Sequence, residues 1–236
     1  MKTITSALLA SFVAVAVHAQ NSVPSVNAAG YIKVTCEPNK FQFVQNPFNA
    51  FDGQPYTLSE IIGTSLPSLS FLYVWDSVDQ NFDSFTYIEG VGLLGSNGLP
   101  TTGPLMARGQ GFYIQSGQGA NPTSDVFLFG EVPGATSNSS TQSSAMPGFN
   151  AVGFPYPVAT LLSQSGLDSA TDHQDLAYLF NPASQTFQTS TRINIQGVPV
   201  LWDNDFTIPP GGVVFIRKYG AQGAFVSNVP YSWPNN

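Results

Sequence analysis

Phe41-Gln-Phe-Val-Gln-Asn-Pro-Phe48 recurs as Phe149-Asn-Ala-Val-Gly-Phe-Pro-Tyr156. Each copy has Phe first, Val fourth, Pro seventh and an aromatic ring eighth. The two stand 149 − 41 = 108 residues apart, and the correspondence continues downstream. Tyr73-Val-Trp75 matches Tyr178-Leu-Phe180; Gln80 and Phe82 follow the first, Gln185 and Phe187 the second. Gly109-Gln-Gly-Phe-Tyr-Ile114 matches Gly211-Gly-Val-Val-Phe-Ile216, by then 211 − 109 = 102 residues apart. Val126-Phe-Leu128 and Ala224-Phe-Val226 form a weaker last pair. A slowly shrinking offset is what a duplicated unit gives after a few loop deletions.

The repeated pieces are of one kind. Short β-branched and aromatic runs are punctuated by Gly, Pro, Asn and Asp, which reads as all-β. Expected strands are Tyr31–Thr35, Phe41–Gln45, Ser70–Trp75, Thr86–Glu89, Gly111–Gln115, Val126–Gly130, Asn150–Phe154, Leu176–Phe180, Arg192–Ile195, Gly212–Lys218 and Ala224–Ser227. Thr57–Ile62 and Val158–Leu162 read as short helical turns, the first with a capping box from Thr57 to Glu60. Tyr-x-aromatic, a polar loop, then Phe reads as a hairpin, and Asp76-Ser-Val-Asp-Gln-Asn81 carries turn residues. Gly134-Ala-Thr-Ser-Asn-Ser-Ser-Thr-Gln-Ser-Ser144 is small, polar and uncharged, as a linker would be. The expected organisation is therefore two tandem diverged β-sandwich-like modules with short helical turns. Module 1 covers 31–133, a Ser/Thr-rich linker 134–145, and module 2 146–236.

The order F-x-x-V-x-x-P-F, Y-x-W-D-x-x-x-x-x-F, G-x-G-F-Y-I resembles secreted bacterial proteins that carry paired β modules with a G-x-G-F-[FY]-I strand. Tyr73, Trp75, Phe82, Gly109, Gly111, Phe112 and Ile114 carry the resemblance, which spans most of the chain. In the second copy Val213 replaces the second glycine and Phe180 the tryptophan. The resemblance implies a secreted β-sandwich-like module and transfers no activity and no functional residue.

The N-terminus reads as a secretory signal peptide. Lys2 gives the basic start, Ile4 to Val17 the apolar stretch, and Val17-His18-Ala19 a cleavage site after Ala19. Residues 1–19 are set aside, 20–30 read as a flexible N-terminal arm, and the product is expected to be secreted, extracellular or at the cell surface. No later apolar run is long enough to span a membrane, and the C-terminus has no tail of the GPI type. Only 9% of residues are charged, with Lys+Arg 7 against Asp+Glu 14. That excludes a basic patch for nucleic acid. Cys36 is the single cysteine, so no internal disulfide forms; it is expected buried in a strand, with an intermolecular disulfide as the alternative.

Catalytic sets are thin. Past the signal peptide His173 is the lone histidine, flanked by Asp172 and Asp175, and no G-x-S-x-G elbow occurs. Glycoside hydrolysis needs a carboxylate pair across a cleft, and there are four Glu: Glu37, Glu60, Glu89 and Glu131. Asp76, Asp79, Asn81 and Asp83 form a calcium candidate that departs from EF-hand order; the second copy's loop, Asn181 to Thr186, has no carboxylate. Zinc has too few ligands. No cofactor is expected, and the chain is read as not an enzyme. Trp202, in Leu201-Trp-Asp-Asn-Asp205, is the candidate exposed ring for glycan stacking, with Trp75 and Trp233 behind it. Asn138-Ser-Ser140 is a glycosylation sequon.

The leading functional expectation is a structural subunit of an extracellular filament or surface matrix, its partner itself. Val23, Val26, Tyr31, Ile32 and Val34 are the candidate assembly residues, an arm adding a strand to the next copy. Sparse charge favours this, since edge charges are a common defence against strand addition. The alternatives are that Tyr31–Thr35 completes its own sheet, and that the protein is a secreted carbohydrate-binding module with glycan partners.

Overall fold

The computed structural model describes residues 28–117, 123–134, 141–196 and 200–231. The signal-peptide region, residues 20–27 with Val23 and Val26, Asn138 and Trp233 lie outside them. The all-β expectation is borne out. The first half contains β1 (Ala29–Cys36), β2 (Phe41–Val44), helix α1 (Leu58–Ile62), β3 (Ser70–Asp76), β4 (Asn81–Ile88), β5 (Gly92–Leu94), β6 (Pro100–Thr101), β7 (Phe112–Gln115) and β8 (Ser124–Glu131). The second contains β9 (Thr141–Ala145), β10 (Gly148–Gly153), β11 (Thr160–Leu161), β12 (Leu176–Asn181), β13 (Thr186–Ile193), β14 (Leu201–Trp202), β15 (Thr207–Ile208), β16 (Val213–Lys218) and β17 (Gly223–Ser227). The linker expected over 134–145 is shorter than that, because Thr141–Ala145 pairs with β17. Around Val158–Leu162 the chain forms β11 and then a 3-10 turn at Leu162–Gln164, not an α-helical turn.

Both halves trace the same antiparallel order. One sheet runs β2-β7-β3-β4-β5-β6, the other β10-β16-β12-β13-β14, and the ribbons β1-β8 and β17-β9 cover them. Registers agree pair for pair. Phe43 opposite Tyr113 corresponds to Ala151 opposite Phe215, and Trp75 opposite Phe82 to Phe180 opposite Phe187. The bridge between Thr57 and Leu105 corresponds to the pairing of Thr160 with Ile208.

Strand period explains the layers, because successive side chains point to opposite faces. Leu72, Val74, Phe112 and Ile114 face inward, against Cys36, Val126 and Leu128 of the first ribbon and Leu58, Ile61 and Ile62 of α1. In the second half Val214, Ile216 and Ala177 meet Ala145 and Phe225 of the second ribbon, with Leu162 and Leu167 from the 3-10 turns. Helix α1 begins where expected: Thr57 accepts the Glu60 amide, and Glu60 accepts the Thr57 amide at 2.7 Å. Alternate positions on the same strands carry Phe43, Tyr73, Trp75 and Tyr113 in one half and Tyr178, Phe180 and Phe215 in the other. These aromatic faces meet, with Trp75 and Phe215 centroids 5.1 Å apart and Tyr113 and Phe180 6.0 Å apart.

Reciprocal hydrogen bonds join the halves. Gln80, at the tip of the β3–β4 hairpin, accepts the Phe149 amide at 2.7 Å and donates to its carbonyl at 3.0 Å. Gln185, at the tip of β12–β13, does the same to Phe41, at 2.9 and 3.0 Å. Both glutamines sit in left-handed backbone, at φ 53° and 57°. Deeper in, the Gln45 amide donates to Gly211 O at 2.9 Å, and the equivalent Gly153 amide to Gly109 O at 2.7 Å. Gly109 and Gly211 both have positive φ, which suits glycine at the start of this repeated motif.

Replacing Gln80 by Gly eases the backbone but removes both bonds to the other half. The expected outcome is a net loss of about 1–2 kcal/mol in urea unfolding, with the same at Gln185. A gain in stability at either site would show that the clasp contributes nothing.

Candidate functional site

The aromatic faces do not close over their whole area. They leave a cleft of about 660 Å³ lined by nine rings. Phe41, Tyr73, Phe82 and Tyr113 come from the first half, and their register equivalents Phe149, Tyr178, Phe187 and Phe215 from the second, joined by Phe180. No charged side chain is among them. The Tyr73 hydroxyl donates to Gln115 Oε1 at 3.5 Å. Burial pushes the Tyr113 phenol well above its ordinary range, so it stays neutral. Trp75 packs against Phe82 and Phe215 of that lining, its indole N–H donating to Phe149 O at 2.8 Å. The rim rings Phe82 and Phe187 are 42% and 47% exposed, so apolar surface faces water. Within the cleft Phe82 and Phe215 lie near-parallel at 6.3 Å, and buried Phe43, outside the lining, stacks on Tyr113 at 3.9 Å. Such a surface offers ring faces and edges and almost no hydrogen bonding, so its chemistry is binding of an uncharged apolar group.

The sequence signal for this cleft is that both alternate sets on β3 are apolar, Leu72 and Val74 on one side and Tyr73 and Trp75 on the other. A strand apolar on both sides is covered on both sides. Trp75, a further candidate for glycan stacking, and Tyr73 thus belong to the surface between the sheets.

The other candidate residues fall elsewhere. Trp202 is a correction: it is 4% exposed, not a surface ring. Its indole donates to Asp168 Oδ1 at 2.7 Å, and the Arg192 guanidinium lies 5.4 Å from the ring centre. The polar residues after it suggested exposure, but they fold back on their own turn, Asp203 accepting the Thr191 amide at 2.7 Å. In the calcium candidate, Asp76 Oδ1 accepts the Val78 and Asp79 amides at 2.7 and 3.0 Å, the role that uncharged Asn181 fills in the second half. Among the described residues no group of three or more His, Cys, Asp or Glu gathers as a metal site would require. His173 Nδ1 accepts the Asn194 amide at 3.3 Å. Its flanking carboxylates turn instead to buried Lys218, whose Nζ lies 2.8 Å from Asp172 and 3.4 Å from Asp175. Of the assembly residues, Ile32 and Val34 pack against the first core and Tyr31 is exposed, its ring 5.9 Å from Phe127. Cys36 is fully buried, and burial pushes its thiol up to about 12. No helix among the described residues is long and apolar enough to cross a membrane. No protein-family model, curated protein or solved structure matches the chain.

Two outcomes follow from these placements. Because the raised thiol pKa keeps Cys36 protonated well above neutral pH, iodoacetamide leaves the native chain unlabelled and modifies it once after unfolding. Labelling of the native chain would contradict the burial. Trp202→Phe keeps the ring and removes its bond to a partly solvated carboxylate, and is expected to cost about 1–2 kcal/mol by chemical denaturation. An unchanged midpoint would place Trp202 outside the core.

Proposed function

We propose that the chain is a non-catalytic structural subunit of an extracellular filament or surface matrix, and that copies join through the aromatic cleft. The observation that carries this reading is the cleft itself. Nine rings border open water on a chain whose exposed charges are few, and contiguous apolar surface of that kind marks an interaction site. Each ring covered by a partner adds a large apolar area and favourable ring–ring geometry.

The occupant is an uncharged segment of the next copy. Strand β1 pairs along its whole length with β8 of its own chain, from Ala29 opposite Glu131 to Cys36 opposite Ser124. Tyr31, Ile32 and Val34 are thereby engaged within the chain, so the proposed occupant is residues 20–27 of the next copy. That stretch, Gln20-Asn-Ser-Val-Pro-Ser-Val-Asn27, has no charged side chain and carries Val23 and Val26, matching an apolar cleft. Fully extended, eight residues reach about 26 Å. An arm-into-cleft contact is heterologous, so it propagates wherever its rotation does not close a ring. The expected export of the chain places such a polymer outside the cell.

Negative-stain imaging and light scattering of the secreted protein test this. Wild type is expected to form ordered polymers. Phe82→Asn with Phe187→Asn, at two half-exposed rim positions, is expected to raise the critical concentration at least about tenfold, a change of about 1.4 kcal/mol or more, with an unchanged circular dichroism spectrum. Deletion of residues 20–27 is expected to do the same. A wild-type protein that stays monomeric at every concentration overturns the assembly reading, and unimpaired polymers from both variants overturn the cleft as its contact.

A further inference from the structure

The first half carries a feature that the second lacks. Thr57 and Thr160 occupy equivalent bridge positions. From Phe48 to Thr57 is 57 − 48 = 9 residues; from the equivalent Tyr156 to Thr160 is 160 − 156 = 4. The five additional residues, 9 − 4, lengthen the loop 49–56 of the first half. The loop is built, not loose. Asn49 and Glu131 exchange both backbone bonds, at 2.9 and 2.8 Å. Gly53 donates to Ala50 O at 3.1 Å, and the Gln54 amide to Asp52 Oδ1 at 3.0 Å. The Phe51 amide donates to the Tyr56 hydroxyl at 3.3 Å.

That loop borders a second cavity of about 600 Å³. Its chemistry is opposite to that of the aromatic cleft. Phe51 presents a ring that is 56% exposed. The ring is backed by Phe129, near-parallel at 6.4 Å, and Phe129 is supported in turn by Tyr56 at 5.3 Å. The cavity beside this platform is lined by the polar residues Asn49, Asp52, Gln54, Arg108 and Glu131.

We propose that this cavity binds a neutral saccharide chain. A sugar ring has an apolar C–H face, which sits on an aromatic ring, and an edge of hydroxyls that each donate and accept. Amides offer both functions at one planar group, and carboxylates and guanidinium accept and donate in pairs. Phe51 supplies the first requirement and the polar group around it the second. A phosphate or sulfated ligand is disfavoured, because two carboxylates outnumber the one guanidinium. A purely apolar ligand would strip water from these polar groups without replacing their hydrogen bonds. Glycan binding thus moves from Trp202, which is buried, to a loop outside the sequence repeat.

A glycan array of neutral glucan, xylan, mannan and chitin oligosaccharides, followed by calorimetry with the strongest binder, tests the site. Wild type is expected to bind at least one of these glycans. Phe51→Ala should weaken binding at least about tenfold, Phe51→Tyr should keep it within a few-fold, and Gln54→Ala should lower it a few-fold. Raising salt to roughly 0.5 M should change the affinity less than about twofold, because the ligand carries no charge. Phe82→Asn with Phe187→Asn should bind as wild type does, so the saccharide site and the assembly contact fail separately. No binding to any neutral glycan, binding indifferent to Phe51→Ala, or binding confined to acidic glycans and abolished by salt would each overturn the proposal.

Discussion

The packing of one aromatic sheet face on another is the constraint from which the rest of the molecule follows. A sheet buried on one side tolerates polar residues on the other. Here β3, β7, β12 and β16 are apolar on both sides, so each sheet needs a ribbon over one face and the opposite sheet over the other. Rings alone do not fix a register, since dispersion has little direction and aromatic pairs accept several offset and edge-on arrangements. The two glutamine clasps supply direction. Each uses one amide to satisfy both backbone groups of a single residue in the opposite half, Phe149 for Gln80 and Phe41 for Gln185. The geometry holds because the hairpin tips are rigid. Asp76 and Asn181 tie the preceding turns, and each glutamine also donates to its own turn, at Ser77 O and Pro182 O.

The positions that recur in the sequence are the ones that make these contacts. Phe41 and Phe149, Gln80 and Gln185, and Gly109 and Gly211 were all legible as pairs, and each pair bonds across the halves. What was not legible is equally physical. Strand β4 begins at Asn81, five residues before the expected start, because Asp83 and Ser84 interrupt the apolar pattern while the tight turn already sets the pairing of Phe82 with Trp75. Strands of two or three residues, such as β6, β11 and β15, are too short to show a period of two. Trp202 misled because its polar neighbours look solvated. Asp203 instead is held below the ordinary carboxylate range, first by the Thr191 amide, and Asp205 accepts both the amide and the hydroxyl of Ser163.

That use of polar side chains runs through the chain. Asp76, Asp203, Asp205, Asn181 and Asn150 each satisfy backbone groups of turns, and Asp172 and Asp175 hold the buried Lys218. Buried backbone groups need such partners, and a chain with few charges assigns most of its carboxylates to local structure. The concave surfaces differ in their lining: rings alone between the sheets, and a ring with Asn, Asp, Gln, Arg and Glu residues beside loop 49–56.

The cleft between the sheets is nearly two-fold, and its departures from symmetry carry information. At one register position Phe43 lies opposite Tyr113 and covers it face to face; at the equivalent position Ala151 lies opposite Phe215 and covers nothing. Phe215 instead meets Phe43, Trp75, Phe82 and Phe149, at 5.9, 5.1, 6.3 and 5.3 Å. Trp75 likewise has Phe180 as its equivalent, and Gln115, opposite Phe41, has Arg217, opposite Phe149. An even cleft would take an occupant in either direction with equal energy. This one has Phe43 stacked on Tyr113 on one side and Ala151 opposite Phe215 on the other, so the two directions are not equivalent. Under the proposed arm-into-cleft contact, that inequivalence would give each copy one orientation in the next.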